Sequence, residues 1–459
     1  TGTNKGVNLP LTESDNINEW IMYQYNRIGE DSGVAIGATI SKVIPYEYVY
    51  SHKNNEKINV EFFMKIMRGS EQQSFIREFL ASMSVNDIRN LVPNYMLCYG
   101  GFMCNGDAPE KLCNNIAGQS FSYLLLENIK KAETVDRVLK LPELSTDNDT
   151  QDIVDMIYQI VAGLSIGWKT KNFTHFDLHL DNIMRYDFVS NKDYLKLFKI
   201  YEEEKGDSVP KIEKIFFKYY TDPNNPKKVY HIPAKYLYVI IDYGFTYAND
   251  IPATSLTQVK WIDTLGYDST KPNSIYDIYT MLSFLLWRVM VSKPYLVFDN
   301  NNNWQTKNIL VDLFRSFLSN FSKLFKTSVD NIFNTLSNLQ KSNPANRKLA
   351  FKETYLNLVN SNYNSGYVWF LRNFNQYSVG ADFQDPCKLL KFMYKRYYSN
   401  IDFEKLEQQD NVYIFNWGFT PDNIIRGIEP NSQIKDMIAK KSQLKQQKIA
   451  EVRNFASNI

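Results

Sequence analysis

Two acidic turns and one buried lysine carry the chemistry open to this chain. The first turn is His175-Phe176-Asp177-Leu178-His179-Leu180-Asp181-Asn182, in which Asp177 is followed five positions later by Asn182. The second is Asp242-Tyr243-Gly244, which closes the apolar run Tyr238-Val239-Ile240-Ile241. Transfer of a phosphoryl group from a nucleotide needs a base or positioner for the attacking hydroxyl. It also needs hard oxygen ligands that keep magnesium on the phosphates. Asp177 is of the first type, and Asn182 and Asp242 are of the second. Lys65 sits inside the apolar, aromatic run Ile58-Asn59-Val60-Glu61-Phe62-Phe63-Met64-Lys65-Ile66-Met67, where a strand either snorkels it or uses it.

The elements that must position these groups fall into two regions. Residues 1–130 read as strand-rich around one helix. Gly33 and Gly37 lie in a turn-like stretch ahead of the β-like run Ala38–Val43. The helix spans Glu71–Met83, with Phe75, Phe79 and Leu80 on one face and Glu78 among them. Phe121–Asn128 reads as a buried strand that leaves into a connector. Residues 131–429 read as mainly helical. Ile153, Ile157, Ile160, Val161 and Leu164 predict a helix running into the Asp177 loop, and Ser274–Val291 and Asn308–Phe325 predict two more. Residues 187–235 are charged, aromatic and rich in turn signals. They are too polar for core and read as an excursion between two strands of the site. Residues 430–459 read as a Lys/Gln-rich amphipathic helix, either a solvated surface element or a partner-binding one.

Composition excludes some classes. A net charge of +2 over 459 residues gives no strong field for nucleic acid or an acidic membrane. The four cysteines, three of them Cys98, Cys104 and Cys113, match no zinc spacing and read as reduced thiols of a cytosolic setting. The apolar run Met281–Val291 is short and broken by Arg288, so it reads as a buried helix rather than a membrane span. No cleavable signal is expected at the N-terminus.

The order of these features resembles the protein-kinase superfamily: glycine turn, strand Lys, helix Glu, connector, helix, H-x-D-x-x-x-x-N, then strand and Asp-Tyr-Gly. The resemblance spans about residues 25–290. It extends to Gln159-Ile160-Val161-Ala162-Gly163-Leu164 before the loop and Ser274-Ile275-Tyr276-Asp277 after it. It implies an α+β, bilobal fold, with a small antiparallel-sheet N-lobe carrying one key helix and a larger, mainly helical C-lobe. It implies ATP and Mg2+ as the nucleotide and cation. Lys65 would contact the α- and β-phosphates and pair with Glu78, for which Glu71 is the rival. Asp177 would orient or deprotonate the acceptor hydroxyl, and Asn182 and Asp242 would hold magnesium. Gly33 and Gly37 would bring backbone amides to the phosphates, although their spacing departs from G-x-G-x-x-G. Leu126 would line the adenine pocket, with the backbone from Glu127 to Ile129 bonding the base. Asp277 would anchor the loop backbone, and His175 would pack structurally.

The departures matter as well. His179 stands where protein kinases carry a lysine near the transferred phosphate, and a histidine there is familiar in aminoglycoside and choline phosphotransferases. Phe176 replaces the arginine that often receives an activation-segment phosphate, so activity independent of phosphorylation at Thr246, Thr254, Ser255 or Thr257 is expected. The stretch Val259–Asn273 lacks A-P-E. The segments Tyr230–Tyr236 and Ile240–Thr246 resemble divergent protein kinases of large DNA viruses, which implies a host-cytoplasmic or virion location. Three expectations stay open: a viral-type Ser/Thr protein kinase, a small-molecule kinase acting on a hydroxyl acceptor, and a pseudokinase scaffold.

Overall fold

The computed structural model describes residues 25–27, 42–51, 57–68, 72–89, 91–104, 121–127, 129, 132–139, 147–187, 214–222, 225, 227–252, 259, 262, 267–292, 307–319, 384–407 and 412–418. Among the described residues the architecture is α+β: three small sheets among helices. Gly33, Gly37, Glu71, Cys113 and the 430–459 tail lie outside the described residues. Among the described residues, no helix is long and apolar enough to cross a membrane.

The first sheet is antiparallel in the order β1 (Tyr25–Arg27), β2 (Lys42–Ser51), β3 (Lys57–Arg68), β5 (Phe121–Glu127), β4 (Cys98–Cys104). Lys65 on β3 stands opposite Leu124 on β5, and Phe63 opposite Leu126. The strand period of two therefore gives Phe63 and Lys65 the same face. Helix α1 (Gln72–Arg89) buries Phe75, Leu80, Ala81, Val85 and Ile88. It runs six residues past the Met83 end expected from sequence. Ser84, Asn86 and Asp87 interrupt the apolar pattern there, yet each finds a polar partner: Asp250, the Cys98 backbone and Lys171 respectively.

The second sheet joins β6 (Glu133–Thr134), β7 (Ile183–Tyr186) and β10 (Leu237–Ile240), with β7 between the other two. Helix α2 (Val135–Leu139) follows β6, and α3 (Asp147–Lys171) is the central helix. Ile153, Ile157, Ile160, Val161 and Leu164 of α3 are all buried, so its apolar face is the one the spacing predicts. Gly163 and Gly167 cost a helix about 1 kcal/mol each relative to Ala. Their reason is close approach: a Cβ at Gly163 would lie 3.1 Å from Asn94 Cβ, and one at Gly167 2.8 Å from the Tyr95 hydroxyl. The segment so admitted ties the first sheet to the second. Met96 N donates to Ile240 O (3.0 Å) and Ile240 N to Asn94 O (2.8 Å). Helices α4 (Tyr276–Ser292) and α5 (Ile309–Ser319) follow, and Met281, Leu282, Leu285 and Val289 of α4 are buried.

The stretch 187–235 is not the wholly polar excursion that its composition suggests. It does leave from β7 and return to β10, which pair with each other. Between them, however, β8 (Lys214–Tyr220) and β9 (Val229–Pro233) form a third sheet with β11 (Val412–Gly418), β8 in the middle and parallel to β11. Ile215, Phe216, Phe217, Tyr219, Ile232 and Trp417 are buried there. Short apolar runs diluted by flanking charge look solvated until the distant strand that covers them is known.

Beyond α5, helix α6 (Pro386–Met393) is capped by Asp385, whose side chain accepts from Lys388 N. A π-helical turn (Tyr394–Tyr398) follows it, then α7 (Phe403–Glu407). The Tyr398 ring stacks on Tyr158 of α3, and its hydroxyl donates to Asp155 (2.7 Å), which also accepts from Gln151 Nε2 (2.7 Å). Burial raises the Asp155 carboxyl from an ordinary 3.8 to about 7, against those two hydrogen bonds. A carboxyl raised on folding stabilises the protein while protonated and loses that contribution as pH rises through its folded value. Denaturant melts should therefore show stability falling between about pH 4 and pH 7. Asp155→Asn, which cannot ionise, should flatten that slope.

Candidate active site

The site is built where α1, β3, the Asp177 loop and the Asp242 turn meet. Lys65 Nζ donates to Glu78 Oε1 at 2.5 Å and to Asp242 Oδ1 at 3.2 Å. Both Lys65 and Glu78 are buried, whereas Asp242 keeps 40% of its side chain open despite its crowded surroundings. Burial opposes a charge on Lys65, but Asp242 and Glu78 outweigh it and raise its pKa, so the ammonium stays protonated. Burial likewise opposes ionisation of Asp242, and Lys65, His175 and the Gly244 amide overcome it and hold the carboxyl below its ordinary value. Glu78 is the carboxyl that yields: burial pushes it up to about 7, with Lys65 pulling the other way and Asp242 adding repulsion. Of two carboxylates sharing one ammonium, the open one carries the firmer charge.

Two backbone conformations mark the same place. Phe176 has φ 63° and Asp242 φ 62°, in the left-handed region. Asp tolerates that region, but for a bulky aromatic it is strained and persists only where surroundings enforce it. Asp277, at the start of α4, supplies the enforcement: its carboxylate accepts from His175 N (2.7 Å) and Phe176 N (3.0 Å). The Phe176 ring is fully buried against Tyr276. His175 Nδ1 accepts from Asp177 N (3.2 Å), which assigns the proton to Nε2, 2.9 Å from Ile241 O. Burial lowers the pKa of His175 despite Asp177 nearby, so the ring is neutral and joins the two acidic turns. Tyr243 adds another link, its hydroxyl donating to Ile240 O (2.6 Å) and accepting from Met96 N (2.8 Å).

Asp177 and Asn182 sit at the two ends of a short loop closed by the 3-10 turn Leu180–Asn182. Asn182 Nδ2 donates to Asp177 O (2.8 Å) and Asp177 Oδ2 (3.3 Å), so its carbonyl oxygen is the end left for a cation. His179 Nε2 lies 3.7 Å from Asp177 Oδ2, and its Nδ1 accepts from Asp181 N (3.3 Å). Burial works against a charge on His179, but Asp177, Asp181 and Asp242 outweigh it and raise its pKa.

The structure thus brings Lys65, Glu78 and Asp242 together, and likewise Asp177, His179 and Asn182. His175 holds the second acidic turn against the first, and Asp277 anchors the backbone of the first. Leu126 and Ile129 are buried, Leu126 on the strand that pairs with the Lys65 strand. Glu127 is committed elsewhere: its carboxylate accepts from Leu97 N (3.1 Å) and lies 3.7 Å from Arg89, and its amide donates to Leu97 O (2.8 Å). Among the described residues, no group of three or more His, Cys, Asp or Glu is arranged to hold a metal ion. Magnesium does not require one, since it takes one or two protein oxygens and fills its sphere with water and phosphate. Asp242 and the Asn182 carbonyl are hard oxygen donors of that kind.

No family model matches the chain, and no curated protein matches it. Its chemistry rests on its own residues. Sequence reasoning missed Arg77, Ser84, Lys171 and Asp250, which bind α1 to the chain after Asp242. Nothing in their spacing signals this, because the partners lie on three separate segments.

Proposed function

We propose that the chain is an ATP- and magnesium-dependent phosphotransferase with a bilobal kinase-like fold, most simply a divergent Ser/Thr protein kinase of viral type. The observation that carries this reading is Lys65, held at 2.5 Å from Glu78 on the following helix and 3.2 Å from Asp242 on a turn 177 residues away. An ordinary core has no use for a protonated lysine between two carboxylates, one of them open. A polyphosphate does: it can take Lys65 as counter-charge while Asp242 turns to the cation.

In this mechanism Lys65, fixed by Glu78, orients the phosphates. Asp177 accepts a hydrogen bond from the acceptor hydroxyl, aligns it and takes its proton as the acceptor O–P bond forms and the γ-phosphorus bond to the bridging oxygen breaks, with ADP leaving. Asn182 braces Asp177 through Nδ2. Asp242 and the Asn182 carbonyl would hold magnesium, which when bound neutralises charge on the phosphates. His179, 3.7 Å from Asp177, offers a donor to the transferred group. That contact also favours a second reading, a kinase for a small hydroxyl compound, since a histidine at this place resembles the loop of aminoglycoside and choline phosphotransferases and can donate a hydrogen bond to phosphate.

Thermal unfolding with and without ATP and Mg2+ tests the binding half. ATP at a hundred times its Kd should add about 2.7 kcal/mol of stability, and only with the cation present. Incubation with labelled ATP and either casein-like proteins or small alcohols then separates the two acceptors. Binding without transfer to any acceptor, the protein itself included, would leave a scaffold and refute the enzyme.

A further inference from the structure

Helix α1 carries Glu78, so whatever fixes its rotation decides whether Lys65 is held. The helix is tied at two points to the chain that follows Asp242. Arg77 Nη2 donates to Phe245 O at 2.7 Å. Two turns further along, the Ser84 hydroxyl donates to Asp250 Oδ1 at 2.5 Å. The other Asp250 oxygen accepts from Lys171 Nζ at 2.7 Å, and Lys171 also reaches Asp87 of α1 at 3.0 Å. Lys171 is the last residue of the central helix α3, and its carbonyl accepts from Asn249 N at 2.8 Å. Thr174 and Tyr247 exchange backbone hydrogen bonds of 3.0 and 2.8 Å one step further on. The segment 245–250 is thereby pinned along the end of α3 and presents one carboxylate to α1.

Seven residues of helix separate Arg77 from Ser84, about 10.5 Å along the axis. Tethers on one face at that spacing leave a rigid helix no freedom to roll, and Glu78 lies beside the first of them. Ser84 and Arg77 are buried, and the Lys171 side chain is only 17% exposed. Burial opposes the Lys171 charge, but its bonds to Asp250 and Asp87 outweigh this and raise its pKa. Phe176, fully buried against Tyr276, offers no cation with which an added phosphate could order this segment. The chain supplies its own anion instead.

We infer that Asp250, clamped by Lys171 and Ser84, is a positioning residue that holds α1 in the orientation pairing Glu78 with Lys65, a built-in carboxylate doing what an added phosphate does in a switched enzyme. This rests on the phosphotransferase reading above. Loosening the clamp lowers the population of the nucleotide-competent orientation, and apparent affinity falls by the same fraction. Saturating nucleotide pulls the population back.

The test is steady-state kinetics on the full chain with ATP–Mg2+. Asp250→Asn, isosteric but uncharged, should raise KM for ATP about tenfold and leave kcat at saturation within about twofold. Lys171→Met should do the same, and Lys171→Arg should restore most of the loss. In a Glu78→Gln background Asp250→Asn should add nothing, because the clamp acts through Glu78. A plain structural role would instead lower kcat and thermal stability together and add its loss in that background. If Asp250→Asn does not fold, Ser84→Ala removes one hydroxyl and must shift KM in the same direction. Wild-type protein that binds ATP–Mg2+, with KM unmoved in Asp250→Asn, Lys171→Met and Ser84→Ala, overturns the clamp alone. Wild-type protein that does not bind ATP–Mg2+ overturns the phosphotransferase reading beneath it.

Discussion

Asp177→Asn should lower kcat by about 10^2- to 10^4-fold while nucleotide affinity stays near wild type. The asymmetry follows from where the residue sits. Asp177 makes no contact with Lys65, Glu78 or Asp242 among the hydrogen bonds of the described residues, and 27% of its side chain is exposed. Its partners are Asn182 Nδ2 at 3.3 Å and His179 Nε2 at 3.7 Å. On the proposed reading it therefore serves the acceptor rather than the phosphates. An Asn in the same place keeps the shape and one acceptor oxygen but cannot take a proton. Single-turnover transfer from labelled ATP, with binding measured separately, checks the expectation. An Asp177→Asn protein that transfers phosphate at the wild-type rate would remove the hydroxyl-orienting role from the mechanism.

How far the sequence foretold the site depends on whether a feature is local. The Asp177–Asn182 loop is legible because all its parts lie within eight residues and close on themselves through a 3-10 turn. Helix α3 is legible because its apolar spacing is unbroken up to the loop. Lys65 and Glu78 were readable as a pair only through the order of elements. Their separation of thirteen residues spans a strand and a helix whose approach no local pattern states. Glu71, the rival partner, lies outside the described residues, and the 2.5 Å contact goes to Glu78.

Non-local parts were invisible for a physical reason. β8 is covered by β11, almost two hundred residues away, and before that cover is known Phe216, Phe217 and Tyr219 look like aromatic residues in a charged loop. The buried polar links behave in the same way. Asn94 accepts from the Tyr219 hydroxyl and donates to Tyr238 O (2.9 Å), and Gln159 of α3 donates to Pro233 O (3.1 Å) and Tyr236 O (2.7 Å). In sequence each is one more Asn or Gln. In the fold each satisfies backbone groups that would otherwise cost about 1–3 kcal/mol apiece to bury. The residues least predictable from pattern are thus those that tie the segment after α1, and helix α3, to the strands leading into the Asp242 turn.

Asp242→Asn should cost about 10^3-fold in activity and abolish the magnesium-dependent part of ATP stabilisation, with a different signature from Asp177→Asn. Asn tolerates the left-handed backbone found at φ 62°, so the turn itself survives the change. What changes is charge. Lys65 loses the carboxylate at 3.2 Å and keeps Glu78, and on the proposed reading the cation loses Asp242 as its anionic ligand. Removing the Asp242 charge also relieves repulsion on Glu78, whose carboxyl should titrate below its present value near 7. The Lys65–Glu78 pair should then survive to lower pH in the variant even as catalysis fails. Titrating ATP with and without Mg2+ reads the first effect, and a side-chain carboxyl NMR titration of Glu78 reads the second. Asp242→Ala is the harsher comparison, because Ala at a positive φ adds roughly 1–2 kcal/mol of backbone strain to the loss of charge. If Asp242→Asn bound ATP with undiminished magnesium dependence, the cation would have to be held elsewhere, and Asp242 would be left as a counter-ion to Lys65 alone.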